Sequence, residues 1–292
     1  MTHLTASITA GTLYVVATPI GHRDDISLRA LEILKHVDCV AAEDTRHSRP
    51  FLMGLGIQKP LIALHAHNEA TESLRLINLL KQGQNIALIS DAGTPLIRDP
   101  GYPLVKHARD EGLVVVPIPG ACALIVALSA AGVPTDMFTF AGFLPTTMAA
   151  RRTALEHFKI ALQHTVVFYE STHRLQACLD DMLDVFGETY EMVLAKELTK
   201  TFETFVTGTI PDIQAWILED ISRKKGEFVV ILPPRVCVED VGEHDACLEI
   251  LLADLPVKQA VKLATKLTGA SRNTLYPRAL VLHKKMQGMD GL

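Results

Sequence analysis

Short apolar runs alternate with stretches of helical period over the first 120 residues or so. Leu13–Ala17, Cys39–Ala42, Leu61–Leu64, Ile86–Ile89 and Val114–Val116 have the length and the branched side chains of buried strands. Ser27 is placed to cap a helix reaching about Val37, with Leu28, Leu31, Ile33 and Leu34 as its apolar side. Further helices are expected over 69–81 and 102–111, stopped by Gly83 and Gly112. Strand and helix in strict alternation predict an α/β fold with a mostly parallel sheet covered on both faces.

The rhythm changes after the turn cluster Pro117-Ile-Pro-Gly120. A small-residue helix over 121–131 follows. Strands are expected at Thr165–Tyr169, Met192–Ala195, Thr204–Thr207 and Phe228–Leu232, with helices over 148–158, 173–186 and 211–221. Unequal spacing of these strands points to a mixed sheet. The last segment reads as helices over 245–253 and 257–267, then the turn Thr268-Gly-Ala-Ser271, whose serine can cap another helix. The expected organisation is an α/β domain over 1–122, a second over 123–235, and a helix-turn-helix-like module over 240–292. In that module Lys258, Lys262 and Lys266 share a face, while Val257, Val261, Ala264 and Leu267 are free to pack. Pro277 should kink the last helix or shift its start.

Charge refines this picture. The chain of 292 residues has net charge −5, yet residues 236–254 hold acids and no Lys or Arg, whereas 255–286 hold Lys and Arg and no acid. A basic tail on an acidic protein points to a localised polyanion contact. Five scattered cysteines without a CxxC pair argue against zinc ribbons and suit a reducing cytoplasm. A cytoplasmic location is also expected because the first residues lack a signal-peptide pattern and no apolar run is long enough to span a bilayer. His65 and His67 have no suitably spaced acid, so no metal is expected.

Candidate chemistry lies at strand ends. The first strand runs into Ala17-Thr-Pro-Ile-Gly21, so the GxGxxG of nicotinamide enzymes is absent, as are the P-loop and the GxSxG elbow. After the fourth strand, Ser90-Asp-Ala-Gly-Thr-Pro-Leu-Ile-Arg-Asp-Pro-Gly101 masses turn formers where open α/β sheets bind ligands. Asp91 can accept from ribose hydroxyls and Gly93 allows close backbone approach; a tight structural turn explains the same residues equally well. Pro119-Gly-Ala-Cys-Ala123 opens a helix whose free N–H groups could meet an adenine edge, or is a plain hinge. Ala42-Glu-Asp-Thr-Arg46, Tyr169–Arg174 and Ala195–Glu203 are charged strand ends that could converge on one cleft or be solvated surface.

Several of these runs, in this order, resemble the ribosomal RNA 2′-O-methyltransferase branch of the tetrapyrrole methylase superfamily: Leu13–Gly21 with Asp25-Ile-Ser-Leu-Arg-Ala30, Glu43-Asp-Thr-Arg46, the Asp91 loop, Pro117–Ala121, Gly142-Phe-Leu-Pro145, Tyr169–Ser171 with His173-Arg174, Glu197–Lys200 and Gly226–Phe228. Residues 247–283 resemble that branch's C-terminal module. The resemblance implies two α/β domains with S-adenosylmethionine in the cleft between them, a homodimer, and 2′-O-methylation of a cytidine in the decoding region of 16S rRNA within the 30S subunit. It places Pro19, Ile20, Asp91, Gly93, Thr94, Cys122 and Ala123 around the cofactor, with Tyr169 and Ala195 supplied by the second domain. Departures from the family pattern are His22 for Asn, Arg98 for Ser, Thr147 for Lys, Thr172 for Pro and Lys196 for Arg.

A ribose hydroxyl must lose its proton during such a transfer, so a carboxylate is expected beside it. Glu43, Asp44, Glu170 and Glu197 are the candidates, with Glu43 favoured. Arg46, Arg174 and Lys200 are expected to hold phosphates, and Lys258, Lys262 and Lys266 to add an RNA grip. Two other readings remain open: a tetrapyrrole C-methyltransferase of the same superfamily, which usually lacks the Glu-Asp-Thr-Arg cluster, and a ribosome-binding module without turnover.

Overall fold

Strands β1 (Thr12–Val16), β2 (Cys39–Ala42), β3 (Leu61–Ala63), β4 (Ile86–Ile89) and β5 (Val114–Ile118) form a sheet in the order β3-β2-β4-β1-β5, with every pair parallel. The computed structural model describes residues 10–161, 163–234 and 244–287. The inner strands are apolar throughout because both faces are covered. On one face lie α1 (Leu28–His36) and α2 (Thr45–Gly54), with Ile33, Leu34 and Leu52 in the core; on the other lie α3 (Glu69–Lys81) and α4 (Tyr102–Asp110), with Leu76, Leu80 and Leu104. Ser27 caps α1 by accepting from the Ala30 N–H at 3.1 Å. Leu28, expected on the apolar side, is instead 80% exposed, and Ala30 takes its place.

The chain places β2 and β3 on one side of β4 and β1, then returns for β5 on the other. That reversal brings the carboxyl ends of β1, β2, β4 and β5 together, the position where open sheets leave a crevice.

After α5 (Ala123–Ala130) comes a mixed sheet in the order β6-β7-β10-β8-β9, built from β6 (Phe138–Phe143), β7 (Thr165–Ser171), β8 (Glu191–Lys196), β9 (Thr204–Thr209) and β10 (Glu227–Leu232). Only β6 and β7 pair parallel. One face is covered by α6 (Met148–Ala161), α7 (Leu175–Phe186) and α8 (Ile210–Glu219). The other packs its Val167, Val193, Ala195 and Val229 against Ile20 and α5. Helix α8 begins with a capping box between Thr209 and Asp212.

Helix α2 and strand β6 were not predicted by pattern. Pro50 sits inside α2 and removes an N–H there, so the helix has no clean period. In β6 the pattern is mostly exposed or half-buried because the strand is a sheet edge.

Residues 1–234 form one compact unit and 235–292 another. The second contains α9 (Asp245–Asp254), α10 (Val257–Thr268) and α11 (Arg272–Gln287) around Leu248, Val261, Leu275 and Ala279. Gly269 ends α10 in the left-handed region at φ 76°. Ser271 caps α11 through the Thr274 N–H at 3.2 Å. Helix α11 starts at Arg272 and runs through Pro277, so the start is not displaced beyond it. Val257, Val261 and Ala264 pack as expected, whereas Leu267 is 70% exposed.

Arg151 and Asp181 are a buried ion pair joining α6 to α7 at 2.5 Å, with Arg152 adding a second contact to the carboxylate at 2.6 Å. Removing the acid strands a buried guanidinium, which costs about 3–5 kcal/mol. Asp181→Ala should lower unfolding stability by that amount in urea titrations, and a loss under 1 kcal/mol would show that water solvates Arg151.

Candidate active site

The loop after β1 and the loop after β4 are locked together by two reciprocal backbone bonds: the Thr18 N–H to the Gly93 carbonyl at 2.8 Å and the Gly93 N–H to the Thr18 carbonyl at 3.1 Å. Gly93 is at φ 86°, a left-handed conformation, and a Cβ added there would meet Ile20 at 3.2 Å. Both the turn and the close approach therefore require glycine. The next residue extends the chain of contacts. Thr94 donates its hydroxyl to the Ala121 carbonyl at 2.9 Å, and the Leu124 N–H at the start of α5 donates to Tyr169 Oη on β7 at 3.1 Å. Strand ends of the parallel sheet are thus fixed to one another and to the mixed sheet.

Between these elements lies a cavity of about 460 Å3, an ordinary volume for a small-molecule site. Ile20, Glu43, Asp91, Gly93, Thr94, Cys122, Ala123, Tyr169 and Glu170 line it, so nine sequence-predicted residues converge. Pro19 lines a second, adjoining cavity. Ala195 is fully buried, paired with Val229 across the sheet, and is not among the walls. Asp99, Arg98, Phe143 and the Gly226–Val229 stretch also line the cavity. Asp99 and Arg98 belong to the turn-rich loop; Phe143 belongs to the Gly142-Phe-Leu-Pro145 run and reaches the cavity at the end of β6, a strand without a clear sequence pattern. Leu96 and Arg98 hold φ of 72° and 70°, concentrating backbone strain in this loop. The Arg98 guanidinium sits 5.6 Å from the Phe143 ring centre.

Glu43 and Asp91 are tied across β2 and β4. The Asp44 N–H donates to Asp91 Oδ1 at 3.2 Å, and the Asp91 N–H donates to the Glu43 carboxylate. Burial, with Asp99 and Asp91 close by, raises the Glu43 pKa. Burial and the Asp91 charge also raise that of Asp99, against a lowering bond from Ser90. No basic side chain among the described residues pairs with Glu43.

The other three carboxylates considered as bases are differently engaged. Asp44 caps α2 and grips Arg46, whose Nη2 is 2.7 Å away; these bonds hold it at a pKa of about 2. Glu170 shares its strand face with Val166 and Phe168, in the core under α7, and its carboxylate accepts the Ser171 N–H and lies 3.3 Å from Arg174 Nε. Glu197 accepts from Lys200 Nζ at 3.0 Å and from the Glu227 N–H at 2.9 Å. Its pKa is lowered because these bonds outweigh burial.

The expected phosphate ligands are dispersed. Arg46 is exposed and paired with Asp44. Arg174 donates to the Leu144 and Pro145 carbonyls, bracing the turn after β6. Lys200 lines the second cavity and bridges Glu197 and Glu227. Lys258, Lys262 and Lys266 are all exposed on α10. Two family departures have a visible accommodation: Thr172 both donates to the Gly226 carbonyl and accepts from its N–H, while His22 uses its backbone N–H to meet Thr199 Oγ1 at 2.9 Å. His65 and His67 sit edge to face with ring centres 6.0 Å apart, and no metal-ligand cluster occurs among the described residues.

Comparison with known proteins agrees with this architecture. Residues 12–214 match the Tetrapyrrole (Corrin/Porphyrin) Methylases, and residues 238–283 match the RsmI C-terminal HTH domain. The chain is 49% identical over 280 residues to Ribosomal RNA small subunit methyltransferase I of Escherichia coli O157:H7, covering 95% of this chain and 98% of that one. To the protein of the same name from Pseudomonas aeruginosa it is 50% identical over 280 residues, covering 94% and 98%. Among solved structures, diphthine synthase superposes with a TM-score of 0.59 at 14% identity over 76% of this chain and 90% of that one. Uroporphyrin-III-C-methyltransferase from Thermus thermophilus does so with 0.52 at 21% over 76% and 94%. These two likenesses are of fold.

The raised Glu43 pKa has a consequence for stability. An ionised carboxylate that is less comfortable folded than unfolded opposes folding above its folded pKa, and the opposition vanishes below its unfolded value. Glu43→Gln, which keeps the acceptor for the Asp91 N–H, should therefore raise Tm at pH 7, with the gain shrinking to nothing as pH falls below about 4. A variant less stable than wild type at pH 7 would show that the ionised carboxylate supports the fold.

Proposed function

The chain belongs to the tetrapyrrole methylase family and, within it, to the ribosomal RNA small subunit methyltransferase I proteins, and on that premise we propose that it transfers a methyl group from S-adenosylmethionine to the 2′ oxygen of a cytidine in 16S rRNA. The observation that carries the reading is the convergence of Asp91, Gly93 and Thr94 with Glu43 on one cavity between the two sheets. As substrate we propose the decoding region of the 30S subunit, as assembly a homodimer and as location the cytoplasm. No helix among the described residues is long and apolar enough to cross a membrane. We further assign 1–122 and 123–235 to separate domains, one per sheet.

The residues present suit the cofactor. Gly93 leaves the loop backbone open to a ligand, the exposed Asp91 carboxylate offers acceptors for ribose hydroxyls, and Ile20, Cys122 and Ala123 provide an apolar wall. Thr94 and Tyr169 complete the pocket, Pro19 lies beside it on the adjoining cavity, and Ala195 supports it from within the sheet. When bound, S-adenosylmethionine supplies an electrophilic methyl on a sulfonium centre. The protein's work is to hold the acceptor oxygen in line and receive its proton.

Glu43 takes that proton. It is the candidate carboxylate that lines the cavity with a raised pKa and without a cation, so it combines basicity with access. Asp44, Glu170 and Glu197 are held by cations. Lys200, on the second cavity, and the exposed Arg46 are offered to phosphates; Arg174 acts by bracing the turn after β6. Lys258, Lys262 and Lys266 give the C-terminal module its RNA-facing charge.

Glu43→Gln should lower kcat for labelled methyl incorporation into 30S subunits by roughly 100- to 10,000-fold, with cofactor affinity by calorimetry within about twofold of wild type. Wild-type turnover in this variant removes Glu43 from the role. Wild-type kcat should itself fall on acidification with an apparent pKa above the 4.5 of an unperturbed Glu, because the active form is the ionised one. Removing residues 240–292 should weaken 30S binding and flatten its salt dependence; unchanged binding would exclude the module from RNA contact.

A further inference from the structure

A second cavity, of about 490 Å3, adjoins the first, with Ile20, Asp91, Ala92 and Glu227 as walls of both. We propose that this second cavity seats the sugar-phosphate of the RNA strand at the methylated nucleotide, with Arg23 and His47 gripping the phosphodiester; this rests on the function proposed above. Neither residue was singled out by the sequence, and neither belongs to the cavity assigned to the cofactor.

The lining has the chemistry of a nucleotide seat. Arg23 comes from the turn after β1 and His47 from the first turns of α2. Both are exposed, and Arg23 has no carboxylate partner among the described residues. Its guanidinium is held over the end of α2, since a Cβ added to Gly54 would fall 1.5 Å from Arg23 Nη2. Lys200 also reaches the cavity, but its charge is shared between Glu197 and Glu227 at 3.0 and 2.9 Å. Arg23 is thus the uncompensated cation of this wall among the described residues, with a planar fork suited to phosphate oxygens. Pro19 and the half-buried Phe51 supply apolar surface for a sugar or base edge.

The seam gives the cavity its direction. A ligand here meets one in the first cavity at Ile20 and Asp91, and the Asp91 N–H is bonded to the Glu43 carboxylate. In this proposal the ribose sits at the seam, with Glu43 on the adjoining wall of the first cavity. The opposite wall lies close: a Cβ at Gly21 would lie 2.5 Å from Lys200 Cγ and 2.9 Å from the Leu198 carbonyl, so the turn after β8 packs on the β1 loop.

Full-length Arg23→Ala, Arg23→Lys and His47→Ala proteins should be assayed with 30S subunits and labelled S-adenosylmethionine over a range of KCl concentrations. Arg23→Ala should raise KM for 30S about tenfold and reduce the slope of log affinity against log salt by about one, as loss of one phosphate contact requires. Cofactor affinity should stay within about twofold, Arg23→Lys should recover part of the salt slope, and His47→Ala should raise KM in the same direction. If wild type methylates 30S and both alanine variants keep its KM and salt slope, this cavity is not the RNA seat and the proposed function stands. If wild type transfers no methyl to 30S, both proposals fall.

Discussion

Two backbone hydrogen bonds between Thr18 and Gly93 are the constraint on which the rest of the site depends. They fix the loop after β1 to the loop after β4, and they form only because Gly93 can adopt a left-handed conformation with Ile20 against its α-carbon. Thr94 then reaches Ala121, and α5 starts where its Leu124 N–H can meet Tyr169. A parallel sheet and a mixed sheet with separate cores are thereby held at a fixed opening. Rigid strands place the loops, and the loops carry the chemistry.

Electrostatics inside the opening are deliberately uncomfortable. Glu43, Asp91 and Asp99 share one cavity, and burial raises the pKa of two of them. Elsewhere in the same unit, acids are matched: Asp181 with two arginines, Glu197 with Lys200, Asp44 with Arg46. Glu43 and Asp99 thus stand apart from these paired acids.

Much of this was legible in the sequence, for identifiable reasons. Buried parallel strands such as Val40–Ala42 and Ile86–Ile89 announce themselves as apolar runs, and their carboxyl ends are where ligands bind. Glu43 and Asp91 could therefore be nominated without coordinates. Helix α2 could not, because Pro50 breaks its period, and with it went His47 and Phe51. The fate of Glu170 depended on strand register: one residue from Tyr169, it points to the opposite face. Arg174 looked like a phosphate ligand because it is basic and near a strand end, yet its guanidinium braces carbonyls of the turn after β6, a contact between segments thirty residues apart that no local pattern encodes.

The chemical claim on which the proposed function stands is that the acceptor is a ribose hydroxyl presented to Glu43. It is tested most directly by digesting 30S rRNA, labelled by this protein with isotopic S-adenosylmethionine, to nucleosides and identifying the labelled species by mass spectrometry. The label is expected in 2′-O-methylcytidine. Label on a nucleobase, or none in the RNA, would contradict it.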